Sequence, residues 1–330
     1  MTAWMTVLMT GSRTAADVAT IDLGPPRPSP HDLLDGLPRR VALTLPELRF
    51  VAERANGAPL PFDLRDGDPS ERGLDDRLGR GRGSAEQSAY AEALGHLHDP
   101  AASLSRRGLL VGGPEDGVVD SGIRGALGLL ATPRVAVDLD VAAGAAQVKS
   151  WHRQSGGAVA SLSTHDGLVF ELAWFPTWAW AGELARVAVV PEDLPLHDSV
   201  VPDRLDLPHA LADAAIEAAR THRTDLVPVL VGHHSGAVTD GLGHEFSAVE
   251  AVAALTGLAT EARGRLRALV ADVSSAETTT IGVLAWTLLA DGWRALRARR
   301  DDDGLRLEVI RVIPEDLAAE LAPVLAEVSA

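Results

Sequence analysis

The stretch Asp166-Gly167-Leu168-Val169-Phe170-Glu171-Leu172 returns near the end of the chain as Asp303-Gly304-Leu305-Arg306-Leu307-Glu308-Val309. The offset is 137 residues, measured from Gly167 to Gly304 and again from Glu171 to Glu308. It continues downstream, where Phe175 falls on Val312 and Glu183-Leu184-Ala185 on Glu320-Leu321-Ala322, while Pro176 and Pro314 miss register by one residue. Asp-Gly between apolar-alternating runs is a hairpin signal, because a type I′ turn needs positive φ at both central residues. Leu168, Phe170, Leu172 and Trp174 then alternate with Val169, Glu171 and Ala173, as a strand requires. Pro314, Glu315 and Asp316 suit the positive end of a helix whose buried stripe is Leu317, Leu321, Val324, Leu325 and Val328. The repeated unit is thus turn, strand, proline and helix.

Working outward, alternation also predicts strands near Val135–Val141, Val148–Arg153 and Ala158–Ser163. A second set falls at Thr279–Leu289, Gly292–Arg299 and Leu305–Arg311. Short gaps make each set an antiparallel meander, since parallel strands need long crossovers. Helices precede each meander. Thr44 with Glu47 and Ser247 with Glu250 form capping boxes, and Leu43 with Leu48 closes a hydrophobic staple. Asn56-Gly57 ends the first helix, Ser84 with Gln87 and Asp99-Pro100 open others, and a glycine-interrupted helix carries Val118, Val119, Ile123, Ala126, Leu127 and Leu130. In the second half Asp206-Leu207-Pro208 opens a helix, and helical spacing reads on through Leu258, Ala262, Leu266 and Leu269. The fold class is α+β, with a pseudo-twofold repeat. We divide the chain into a disordered leader at 1–38, an N-terminal half at 39–190 and a C-terminal half at 191–330, the two halves forming one body.

Composition narrows the function. The 330 residues are 46% hydrophobic and 23% charged with a net charge of −16, which suits a globular protein and argues against nucleic acid or an anionic membrane as partner. There is no cysteine, so disulfides and thiolate chemistry are excluded. Met1 to Thr10 lack the basic region of a secretory signal, and no run of about 18 apolar residues occurs, so we expect a cytoplasmic protein with no membrane insertion. All three methionines, Met1, Met5 and Met9, lie in this leader, which leaves the start residue open.

Chemistry is thinly represented. His233, His234, His244 and Glu245 lie in a glycine-rich loop and support an alternative reading as a metal-dependent hydrolase, although their spacing is not that of a two-histidine helical zinc site. Gly79-Arg80-Gly81-Arg82-Gly83, inside a charged insert at Asp63 to Gly83, lacks the lysine of a phosphate loop. No Gly-x-Ser-x-Gly elbow is present. Asp138 and Asp140 read as the solvated side of a strand, with Val135, Val137, Leu139 and Val141 facing inward. Six tryptophans, Trp151, Trp174, Trp178, Trp180, Trp286 and Trp293, stand in or beside the strands. They serve either as core or as anchors for a partner, and Pro176 prevents Trp174, Trp178 and Trp180 from all entering one core.

With Pro46-Glu47-Leu48, Ala131-Thr132-Pro133-Arg134-Val135-Ala136-Val137-Asp138-Leu139 and Arg297-Ala298-Arg299-Arg300-Asp301-Asp302-Asp303-Gly304 beside the repeat, the chain resembles the EspG family of type VII (ESX) secretion chaperones over roughly residues 42–328. Its arginine- and alanine-rich composition, with Lys149 as the only lysine, is consistent with the actinobacteria in which that family occurs. The resemblance implies a central antiparallel sheet flanked by two helical bundles. It further implies a cytosolic, non-catalytic chaperone without cofactor that grips the end of a helical-hairpin secretion substrate, PE/PPE-like or WXG-like, through the sheet and the C-terminal bundle. Carried over by block, the grip falls on Trp151, Arg153, Gly156 and Gly157, on Trp286, and on the helices spanning Asp206 to Val270 with Arg263 and Arg267. The charged insert departs from the family pattern and leaves the substrate class open. Homodimerisation through the pseudo-twofold is also left open.

Overall fold

A computed structural model describes residues 39–62, 93, 99–113, 116–275, 278–302 and 304–328. The leader, the insert at 63–83, the cap at Ser84 and Asp303 lie outside the described residues. Two antiparallel meanders form the frame: β4 (Val135–Ala143), β5 (Ala146–Ser155), β6 (Ala158–Thr164) and β7 (Val169–Pro176), then β9 (Gly264–Asp272), β10 (Thr279–Leu289), β11 (Gly292–Asp301) and β12 (Gly304–Val312). Two further strands, β1 (Arg39–Thr44) and β8 (Arg204–Pro208), add to the outer edges. The single sheet of ten strands runs β1-β7-β6-β5-β4-β9-β10-β11-β12-β8, so its second five repeat the order of its first five by rotation about the β4–β9 seam. A separate ladder joins β2 (Leu110–Val111) to β3 (Val118–Val119).

Helices cover both faces. After each meander a 3-10 turn leads into a helix, α4 (Trp180–Val187) after β7 and α8 (Leu317–Val328) after β12. Trp180 and Leu184 of α4 and their 137-offset equivalents Leu317 and Leu321 of α8 enter one core against Val137, Val270, Trp286 and Trp293. On the opposite face, α1 (Leu45–Arg54), α2 (Pro100–Arg106) and α3 (Ser121–Ala131) bury Leu43, Trp151, Leu162, Phe170 and Leu172. Over the other end of that face, α5 (His209–Arg220), α6 (Val227–His233) and α7 (Ala248–Thr260) bury Leu205, Leu207, Leu307 and Val309. The α+β architecture matches expectation, as do both capping boxes and the Asp99 cap.

The repeat extends to charge. Arg40 of β1 pairs in register with Ala173 and bonds Glu171 and Glu183; Arg204 of β8 pairs with Ile310 and bonds Glu308. Arg297 closes the second clasp onto Glu320. Glu171 and Glu308, like Glu183 and Glu320, are 137-offset equivalents, so each half ties its edge strand and its terminal helix to the meander through the same carboxylates.

Several expectations are corrected. Residues 264–272 form β9, not the tail of a helix, because α7 ends at Thr260 and Gly264 pairs with Ala143. Arg204–Pro208 is a strand and the helix begins only at His209; Val118 and Val119 are likewise extended. The first Asp-Gly site is not a two-residue hairpin. Four residues separate β6 from β7, Gly167 has φ 74°, and Asp166 Oδ1 accepts from Leu168 N and Val169 N. The second repeat closes tightly, with Asp301 paired to Gly304.

Candidate functional site

Pairing fixes which side chains share a face. Asp138, Asp140, Lys149, Trp151, Arg153, Arg265, Arg267, Leu269, Val283 and Ala285 all point to the face that carries the two helical bundles. The bundles pack over the outer strands, and between them parts of β9 and β10 are open to solvent: Arg265 and Arg267 are exposed and Val283 is 65% exposed, while Leu269 beside them is buried. Val283 is a large apolar side chain on a sheet floor, flanked by cationic groups, which is the composition of a protein-binding surface.

The floor is held rigid by buried charge. Asp138 and Asp140 are 5% and 1% exposed, so the solvated strand face expected for them is overturned. β4 lies fifth in a ten-stranded sheet and is covered on both sides. Arg153 Nη1 bonds Asp138 Oδ1 at 2.5 Å. Asp140 accepts from Gln147 Nε2 at 3.2 Å and from Arg265 Nη2 at 3.3 Å, so Arg265 is anchored at the floor while its stem remains exposed. Arg267 forms no ion pair among the described residues.

The residues carried over from the family resemblance do not converge. Trp151 and Trp286 are 4% and 1% exposed and lie in different cores on opposite faces of the sheet, so neither ring is a surface anchor. Strand alternation turns each toward its covering helices. Arg153 is spent on Asp138. Arg263 donates to the carbonyls of Leu289 and Ala290 and so clamps the β10–β11 turn. Gly156 and Gly157 form the exposed two-residue turn between β5 and β6. Beside them, Thr177 N donates to Gly157 O, and the next residue, Trp178, is 71% exposed, in keeping with the break at Pro176. Only Arg267 stands on the open floor.

Arg265 is hidden from sequence by the helical spacing of 258–269, and Val283, although on an expected strand, carries no signal of its exposure. The alternation of Arg265 and Arg267 against Leu266, Ala268 and Val270 is the signal that identifies a strand with one wet face. His152 also escaped notice. It lies buried between Trp180 and Ser150, with Trp180 Nε1 donating to His152 Nδ1 at 3.1 Å and Ser150 Oγ 3.0 Å from Nε2. Burial, then the nearby charges of Arg153 and Arg186, push its pKa down to about 3.

The four residues of the hydrolase alternative do not form a metal centre. His233 ends α6, His244 contacts Asp240 at 3.1 Å and is exposed, Glu245 lies against Gly236, and among the described residues no three His, Asp or Glu side chains could hold a metal. A cavity of about 600 Å³ lies on the other face, between Val141, Val148 and Ser163 and the end of α4. Of its charged groups, Arg186 and Glu171 are paired with each other, and Asp166 accepts from the backbone of its own turn. Among the described residues no helix is long and apolar enough to cross a membrane.

The fold defines a class: a pseudo-twofold α+β protein with one continuous antiparallel sheet and a bundle over each end. No family model matches this chain, and a search of curated proteins finds no match. Among solved structures it is similar to a chain in that of the Mycobacterium tuberculosis type VII secretion system chaperone EspG5 in complex with a PE25–PPE41 dimer. The TM-score is 0.56 at 11% identity, covering 87% of this chain and 96% of that one, which is a likeness of fold.

Proposed function

We propose that this protein is a non-catalytic, cytoplasmic chaperone that binds the end of a helical secretion substrate and keeps it soluble before export. The observation that carries this reading is the partly open floor of β9 and β10 between two helical bundles, where Val283, Arg265 and Arg267 face solvent. A helical hairpin with an apolar tip would aggregate unless covered, and a rigid sheet floor with helical walls covers such a tip without chemistry. The similar solved structure is of a chaperone in complex with a PE25–PPE41 dimer, which supports PE/PPE-like clients as candidates; WXG-like ones are the alternative. The grip would lie on Arg265, Arg267 and Val283 and on the walls of α5–α7, with the Gly156-Gly157 turn and Trp178 at the sheet end as a secondary contact.

The test is size-exclusion chromatography of the purified chain with candidate helical-hairpin heterodimers. A stoichiometric complex that Arg267→Glu with Val283→Asp abolishes at unchanged melting temperature supports the proposal. Separate elution of every candidate, or capture indifferent to the floor substitutions, sinks it.

A further inference from the structure

The sheet forks between β10 and β11. These strands pair only from Ala285 with Leu296 to Leu289 with Gly292, although β10 begins at Thr279 and β11 runs on to Asp301. Their outer sides stay paired, Thr279 to Leu284 with β9 apart from a bulge at Ile281 and Arg297 to Asp301 with β12. In the other half, β6 is paired to β5 along its whole length, from Ala158 to Thr164. The fork therefore has no counterpart along β6.

Alternation identifies the backbone groups that face into it. Leu289 with Gly292 and Asp301 with Gly304 each flank a two-residue turn, so each pair exchanges both backbone hydrogen bonds. Counting back from Leu289 and forward from Gly292, Val283 of one arm and Ala298 and Arg300 of the other turn their N–H and C=O groups toward the gap. Those groups are not used by β9 or β12. The three side chains point to the same face as Arg267, and all three are exposed. A row of unpaired backbone donors and acceptors is a template for a further strand.

Charge selects the occupant. Arg267 pairs across β9–β10 with Ala285 at the base of the fork, and Arg300 stands on one arm. Neither forms an ion pair among the described residues, on a chain whose net charge is −16. At the mouth, in the β11–β12 turn, Asp301 is engaged by Arg299 and Arg306 and Asp302 is exposed. A second copy meeting this fork by twofold symmetry would set arginine against arginine. We propose that the fork receives an extended, acidic segment of the client polypeptide, added as a strand with its carboxylates toward Arg267 and Arg300. This rests on the chain being a client-binding protein, and it adds a strand-pairing contact to the grip on helices.

The test uses the full chain and a short labelled peptide of alternating valine and glutamate, with a valine–lysine peptide as its control. Ala298→Pro removes one N–H that faces the fork while leaving the β11–β12 ladder its own bonds; Val283→Pro does the same on the opposite arm. We expect the acidic peptide to bind, and either proline variant that melts as the parent does, as well as Arg267→Glu, to weaken it by about tenfold or more. Equal binding of the lysine peptide, no binding, or affinity unchanged in the variants overturns the proposal. Concentration-dependent dimerisation abolished by Ala298→Pro would overturn it in favour of a second copy. If helical clients are captured equally by parent and proline variants, the fork proposal fails and the chaperone reading stands. If the peptide binds the fork and no helical client is captured, the chaperone reading is the one that fails.

Discussion

Trp180 Nε1 donates to His152 Nδ1 at 3.1 Å inside the core, which fixes that nitrogen as an acceptor and leaves Nε2 to donate to Ser150 Oγ. The ring is therefore held neutral. Its pKa is about 3 against an ordinary 6.5, so between those values the unfolded chain binds a proton that the folded chain refuses. The stabilisation is complete above pH 6.5 and is lost as pH falls toward 3, at about 1.4 kcal/mol per pH unit. Urea denaturation between pH 7 and about 4 measures the slope, and His152→Gln flattens that part of it.

Removing one member of the buried pair leaves a buried charge alone. Asp138→Ala should destabilise by about 3–5 kcal/mol, and the double change Asp138→Leu with Arg153→Met by much less, because no charge then stays unpaired. Chemical denaturation of the two single variants and the double variant decides this.

Tryptophans that look alike in sequence should separate in stability. Trp286→Ala empties a packed core position and should cost about 3–5 kcal/mol, whereas Trp178→Ala should stay within about 0.5 kcal/mol. Midpoints of urea unfolding test both, and only a Trp178 variant can then be read directly for partner binding.

The seam beside the floor tolerates no added carbon at Gly264. A Cβ there would stand 2.5 Å from Ala142 O and 2.9 Å from Leu288 Cβ, so Gly264→Ala should destabilise by about 1–3 kcal/mol. A melting temperature equal to that of the parent would show that the strands can separate at this point.

Local rules determined much of the fold in advance. The capping oxygens of Thr44 and Ser247 act within one helical turn, and strand alternation acts between next neighbours, so these elements and the 137-residue repeat are readable from the chain alone. The segment at 264–270 is the instructive failure. It satisfies helical spacing and strand alternation together, and it resolves only because β4 and β10 lie on either side to accept its hydrogen bonds. Solvent exposure belongs wholly to the tertiary structure. Asp138 reads as a surface carboxylate and is buried because β4 became a central strand, while Trp286 reads either as core or as anchor and is core because α8 returns over the sheet. The open floor, with Arg267 and Val283 upon it, exists because the two bundles cover most of one sheet face and leave parts of β9 and β10 bare. No residue-level signal records where a distant helix stops covering its neighbours.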